Sequence, residues 1–164
     1  MACRGVLFAI SNEDLTKLLR APTDEEILTI VQGDIENRWE EAWLYQLDKA
    51  WDAIHRCLTD GKIGFDNGKY PYNRCVLGGR QLHQGDSYIV SLKTPSEAGD
   101  LANALRSIDQ GSLRLRYFAI DPTDYGLNFS EHDFEYTWEY FRDLPDFYGR
   151  AASAGRHVVF TVDQ

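Results

Sequence analysis

A chain of 164 residues, 43% hydrophobic and 13% aromatic, is long enough to bury a core as one domain over residues 1–164 without disulfide or metal staples. Its 26 acidic against 17 basic side chains leave a formal charge of −9, a field that repels phosphate backbones and anionic lipid and argues against nucleic acid and membrane as partners. Cys3, Cys57 and Cys75 form no C-x-x-C pair, so neither a disulfide framework nor a zinc knuckle is implied and a reducing cytoplasm is expected.

The apolar run Gly5–Ile10 (GVLFAI) is too short for a secretory or membrane segment and reads as a first strand. Ser11 and Asn12 then cap a helix carrying Leu15, Leu18 and Leu19. Pro22 breaks it. Thr23 and Glu26 set a capping box for a second helix that buries Ile27, Ile30 and Val31 and ends at Gly33. "WEEAWLYQL" admits two readings: a helix from Asp34 with Trp39, Trp43, Leu44 and Leu47 on one flank, or an extended Ala42–Leu47 with Asp48 as N-cap of a new helix. The second is preferred, because Asp caps well and Trp, Leu and Tyr suit a strand. Gly61 to Asn73, with three glycines, a proline and an Asn-Gly step, is a loop.

"CVLGG" (Cys75–Gly79) and "SYIVSL" (Ser87–Leu92) read as strands around a turn. Thr94, Pro95 and Glu97 make the clearest helix start in the chain, and Leu101, Ala102, Leu105 and Ile108 follow on one face. "GSLRLRYFAI" (Gly111–Ile120) alternates apolar and basic residues, a strand pattern, although its neighbours could pull it helical. Ser130 caps a long aromatic helix with Phe134, Trp138 and Phe141 inward; Pro145 kinks or restarts it and Gly155 stops it. "HVVFTV" closes the chain as a strand. Strands and helices without a strict βαβ rhythm predict an α+β domain, a mixed β-sheet packed against several helices.

Five segments in this order, "GVLFAI", "LDKAWDAIHRCLTDG", "NRCVLGG", "TPSEAGDLANAL" and "LPDFYGRAASAGRHVVFTV", resemble the YfbM-like family, bacterial cytoplasmic domains of unknown function. The second is the most specific: Leu-Asp-Lys-x-Trp-Asp, then His, then Leu-Thr. The insertion around "WEEAWLYQ" and Gly126, where a proline would follow Tyr125, depart from the pattern. The resemblance implies the α+β fold and no activity. Small acidic domains of this type look similar to the immunity proteins encoded beside bacterial toxins.

Asp48, Asp52 and His55 recur at i, i+4 and i+7 beside Trp51, a plausible divalent-metal or acid–base set on one side of a helix. A structural account of the same residues is cheaper: Asp48 caps, Asp52 answers the helix dipole, and His55 is a core imidazole with one hydrogen bond. Gly78, Gly79 and Gly85 near Arg80 and His83 lack the order of a phosphate loop. No serine sits in a G-x-S-x-G elbow, Cys57 and His55 point apart on a helix, and Arg114–Arg116 is too small a basic patch for nucleic acid. The strongest feature is Ser130 to Asp146. Glu131, Asp133, Glu135, Glu139 and Asp143 surround Tyr136 and Tyr140, the composition of a surface for a basic protein partner. The expectation is a non-enzymatic, acidic, immunity-type protein, monomeric when free, that blocks the active cleft of a toxin and needs no cofactor or metal. The alternative is an enzyme or small-ligand-binding protein with a pocket at Asp48, Trp51, Asp52 and His55.

Overall fold

The computed structural model describes residues 3–126 and 128–163. Its strands are β1 (Gly5–Ile10), β2 (Leu44–Asp48), β3 (Arg80–Gln81), β4 (Tyr88–Lys93) and β5 (His157–Asp163). They form one sheet in the order β2-β1-β5-β4-β3. Every pairing is antiparallel. The α+β class therefore holds, and the sheet, expected to be mixed, is antiparallel throughout: no helix here is a crossover between neighbouring parallel strands.

Both faces of this sheet are buried, which explains why β1 and β5 read as continuous apolar runs rather than alternating ones. Along β1, Leu7 and Ala9 enter one core with Val158, Phe160 and Val162 of β5; Phe8 and Ile10 enter the other with Val159. The smaller core is closed by α1 (Asn12–Arg20), by α2 (Asp24–Leu28) and by the π-helical turn Thr29–Glu36. The larger is closed by α3 (Trp51–Leu58), α4 (Pro95–Leu105), α5 (Gln110–Tyr117), α7 (Glu131–Phe141) and α8 (Leu144–Ser153), with the short α6 (Pro122–Tyr125) between α5 and α7.

The caps predicted at Ser11, Thr23, Thr94 and Ser130 hold, although Glu26 does not reach back to complete the box at Thr23. Ser11 accepts the Asp14 amide, Thr23 the Glu26 amide and Ser130 the Asp133 amide. At α4 both halves of the Thr94–Glu97 box are made, with Pro95 in the first turn. Four expectations fail. Gly33 does not end its helix, because buried Val31 and Ile35 straddle it and anchor the turn on both sides. Cys75–Leu77 is buried but not a strand. The Val76 carbonyl is taken by the Ser91 hydroxyl and the Lys93 ammonium instead of by a ladder partner. Gly79 follows at φ 121°, where a Cβ would lie 2.5 Å from the Leu92 carbonyl oxygen. Gly111–Ile120, predicted extended, begins inside helix α5. Asp109 caps it by accepting the Ser112 amide at 2.7 Å, and Leu113 and Tyr117, four apart, are the buried pair while Leu115 is 76% exposed. Finally, Asp48 is the last residue of β2 and not an N-cap; Ala50 precedes α3, and its methyl group offers no acceptor.

One buried group runs against the apolar pattern. Lys93 is fully buried, its ammonium donating to the Val76 and Ser91 carbonyls and to the Ser91 hydroxyl, 5.5 Å above the Phe160 ring. Desolvation pulls its pKa down to about 7 from the ordinary 10.5. The unfolded chain then holds the proton up to about 10.5 while the folded chain releases it near 7. The cost of burial is complete below about 7 and is relieved as pH rises toward 10.5. Urea unfolding across that range should show wild type gaining a few kcal/mol relative to Lys93→Met. Parallel profiles for the two proteins would show that Lys93 keeps its solution behaviour.

Candidate functional site

The acidic aromatic segment forms helix α7, which lies against β2, α3 and α5. Phe134, Thr137 and Phe141 face the core, while Trp138, expected inward, is half-buried because the inward stripe passes through Thr137. The seven residues predicted as a docking face divide by environment. Asp133 is committed internally: its Oδ2 accepts both the Tyr117 hydroxyl at 2.7 Å and the Tyr125 hydroxyl at 2.6 Å. Glu131 is held by the Arg114 guanidinium through two bonds of 3.1 and 2.5 Å. Glu139 and Asp143 share Arg142 at 3.0 and 3.5 Å. Glu135 is exposed and makes no ion pair among the described residues.

Tyr136 and Tyr140 are half-buried, their rings 4.9 Å apart. Neither stands free in water as expected. The Tyr136 hydroxyl accepts the Lys49 amide at 3.3 Å, and the Tyr140 hydroxyl points at Asp48 Oδ2 at 3.5 Å. The Tyr140 carbonyl accepts the Tyr45 hydroxyl at 2.8 Å, which ties α7 to β2. Burial first, then the nearby Asp48 carboxylate, raises the Tyr136 pKa well above its ordinary value, so this phenol stays protonated.

Two concavities flank Tyr136 and share it and His132 as a wall. One, of about 450 Å³, is lined also by Gln110, Glu135, Trp138 and Glu139. The other, of about 530 Å³, is lined also by Arg4, Asp48, Lys49, Asn128, Ser130 and Asp133. Asp48 sits here in a left-handed backbone conformation, φ 45°, uncommon for a side chain other than glycine. It falls opposite Gly5, where the β1–β2 register shifts. Gly5 is required at that position, since a Cβ would lie 2.7 Å from Phe160 and 2.9 Å from Trp51. Arg4 Nε lies 3.3 Å from Asp48 Oδ1, and that oxygen is buried without a well-aligned hydrogen bond.

The alternative pocket does not assemble. Asp48 turns to α7. Trp51 packs on Phe160 and donates its indole N–H to the Cys3 carbonyl at 3.0 Å. Asp52 pairs with Arg56 at 2.6 Å, and Arg56 also binds Asp124 and the Gly61 carbonyl. His55 is 1% exposed, with Nε2 3.0 Å from Asn67 Oδ1 and Nδ1 unpartnered. Desolvation lowers its pKa, which leaves the ring neutral. Asn67 in turn binds Asp60, Thr59 and the Lys62 carbonyl, so His55 anchors the Gly61–Asn73 loop. Among the described residues no three His, Cys, Asp or Glu side chains come close enough to hold a metal ion. Sequence reasoning missed Arg4, Lys49 and His132, which carry no local pattern and reach the site only through the β1–β2 pairing and the start of α7.

An antiparallel sheet covered by helices on both faces, with charged and aromatic side chains interleaved on α7, defines an α+β domain. The chain belongs to the family described as a domain of unknown function (DUF1877), whose profile matches residues 1–161. It is similar to protein YfbM of Escherichia coli strain K12, 27% identical over 118 residues, or 71% of this chain and 67% of that protein. The crystal structure of YfbM from Escherichia coli, described as a protein of unknown function, superposes with a TM-score of 0.69 at 26% identity, covering 97% of this chain and 99% of that one. The YfbM-like resemblance and the fold are thus established.

The two kinds of acid on α7 should separate in denaturant. Asp133→Ala strands two tyrosine hydroxyls and should cost about 2–3 kcal/mol, whereas Glu135→Ala should leave the urea midpoint where it was. Equal, negligible effects would remove Asp133 from the folding account.

Proposed function

We propose that the chain is a non-catalytic binding protein that docks a basic protein partner on the exposed side of α7, with Tyr136 as the central anchor. The observation that carries this reading is the position of Tyr136 between two concavities, its ring packed at the base and its exposed flank bordered by Glu135, Trp138 and Glu139. A tyrosine held in place on a rigid helix loses little side-chain entropy when a partner packs on it. Glu135, without an internal cation, is the group with most to gain from a partner's lysine or arginine, and the net −9 speeds encounter with a basic surface. Asp133, Glu131 and Asp143 contribute field rather than contacts, since each already has an internal donor. An immunity-type role, with this face seated over the active cleft of a basic toxin domain, is the form of the proposal that accounts for both the acidity and the aromatic anchor.

The test uses the purified chain as bait in extracts of the cells that make it, followed by binding measurements with the isolated partner. The expected partner is basic and is retained by wild type and by Glu25→Lys, which lies across the sheet on α2. It should be lost with Glu135→Lys combined with Tyr136→Ala, and its association should slow as salt rises. A partner kept equally by the double variant, or one bound at a rate indifferent to salt, rejects the reading.

A further inference from the structure

Helices α4 and α8 pack along a seam of small residues. A Cβ at Gly99 would sit 3.7 Å from that of Ala152, and one at Gly149 would sit 3.8 Å from that of Ala102. Outside the seam this close approach leaves a concavity of about 860 Å³, larger than either groove beside Tyr136. Its floor is small and partly apolar, and one wall is Trp43. Its charge is opposite to that of the molecule. Arg106 and Arg150 both line it, and neither forms an ion pair among the described residues, although the chain carries 26 acids. Asp146, the acid in the lining, pairs with neither of them. Both guanidiniums are exposed at the groove, and Arg150 is tethered. Arg106 Nη2 lies across α8 at Gly149, where a Cβ would come within 2.9 Å of it, and Arg150 Nη1 donates to the Ala42 carbonyl at 3.2 Å. Behind the wall, Arg156 stacks on Trp43 at 3.8 Å and adds a third positive charge.

Guanidinium groups without a carboxylate partner keep free donors for an oxyanion, and two on one groove match a doubly charged one. The floor of small side chains beside an indole admits a flat body, and the volume is that of a small-molecule site. From this we infer that the α4–α8 groove binds a phosphate monoester carried on a ring, the phosphate between Arg106 and Arg150 and the ring over Gly99 and Ala102 beside Trp43. This site lies apart from the α7 face, and its test stands whether or not that face binds a protein.

Adenosine 5′-monophosphate serves as the probe, with adenosine and inorganic phosphate as its two halves, followed by NMR through the arginine Nε–H and tryptophan indole resonances. AMP should shift the Arg106, Arg150 and Trp43 signals saturably, and each half alone should bind at least about tenfold more weakly, the loss expected when a charged hydrogen-bonding partner or a packed ring is removed. Arg106→Gln and Arg150→Gln should each weaken AMP by about tenfold, while Arg80→Gln, on β3, should not. The proposal is overturned by no saturable shift at millimolar AMP, by equal affinity for adenosine or for inorganic phosphate, or by variants that bind as wild type does.

Discussion

The structure depends on β5 being buried on both faces and paired along both edges. Val158, Phe160 and Val162 point into the core under α3 to α8, while Val159 points into the core under α1 and α2. Their alternation means that a one-residue slip would exchange the two cores. The strand lies between β1 and β4 and joins the β2–β1 and β4–β3 pairs into one sheet. Closing the sheet in this way puts β2 against α7, and with it the corner that carries Asp48.

At that corner the packing and the surface chemistry are the same atoms. The Tyr45 hydroxyl fastens α7 through the Tyr140 carbonyl, and the Tyr136 hydroxyl receives the Lys49 amide. The aromatic rings that look outward are therefore set by bonds that look inward. Asp133 plays the equivalent part at the start of α7, gathering Tyr117 and Tyr125, and Tyr117 stacks in parallel on Phe129, 5.2 Å between ring centres. A face fixed in this manner has little side-chain freedom to lose, which is what the proposed docking role requires.

Much of the fold was legible because local chemistry and tertiary packing agree. Thr94-Pro95-x-Glu97 makes a helix start wherever it lies, and the run from Gly5 to Ile10 has no other use than a strand buried on both sides. Where the two disagree the reading failed. The alternation of Leu113 and Leu115 suggested a strand, but only Leu113 has a core to enter, and Asp109 turns the segment helical. Asp48 has the composition of a cap, yet the bulge opposite Gly5 holds it in the strand. The candidate site suffered the same fate in part. Six acids on one segment are visible in the sequence. That Asp133 is spent on two tyrosines and Glu131 on Arg114 is not.

The sequence by itself determined the α+β class, the family, the caps at Ser11, Thr23, Thr94 and Ser130, the net charge of −9 and the helix on which the acids and tyrosines lie. Those properties follow from short-range spacing and from composition, and neither depends on which distant segment becomes a neighbour. Tertiary structure alone decided that Asp48, Asp52 and His55 part company and that Tyr136 divides two grooves. It also set Arg106 and Arg150 on one groove, where Asp146 pairs with neither. The reason is physical: a side chain's charge partner and degree of burial are set by segments tens of residues away, brought in by strand pairing and helix packing. No local pattern records which carboxylate will reach which guanidinium.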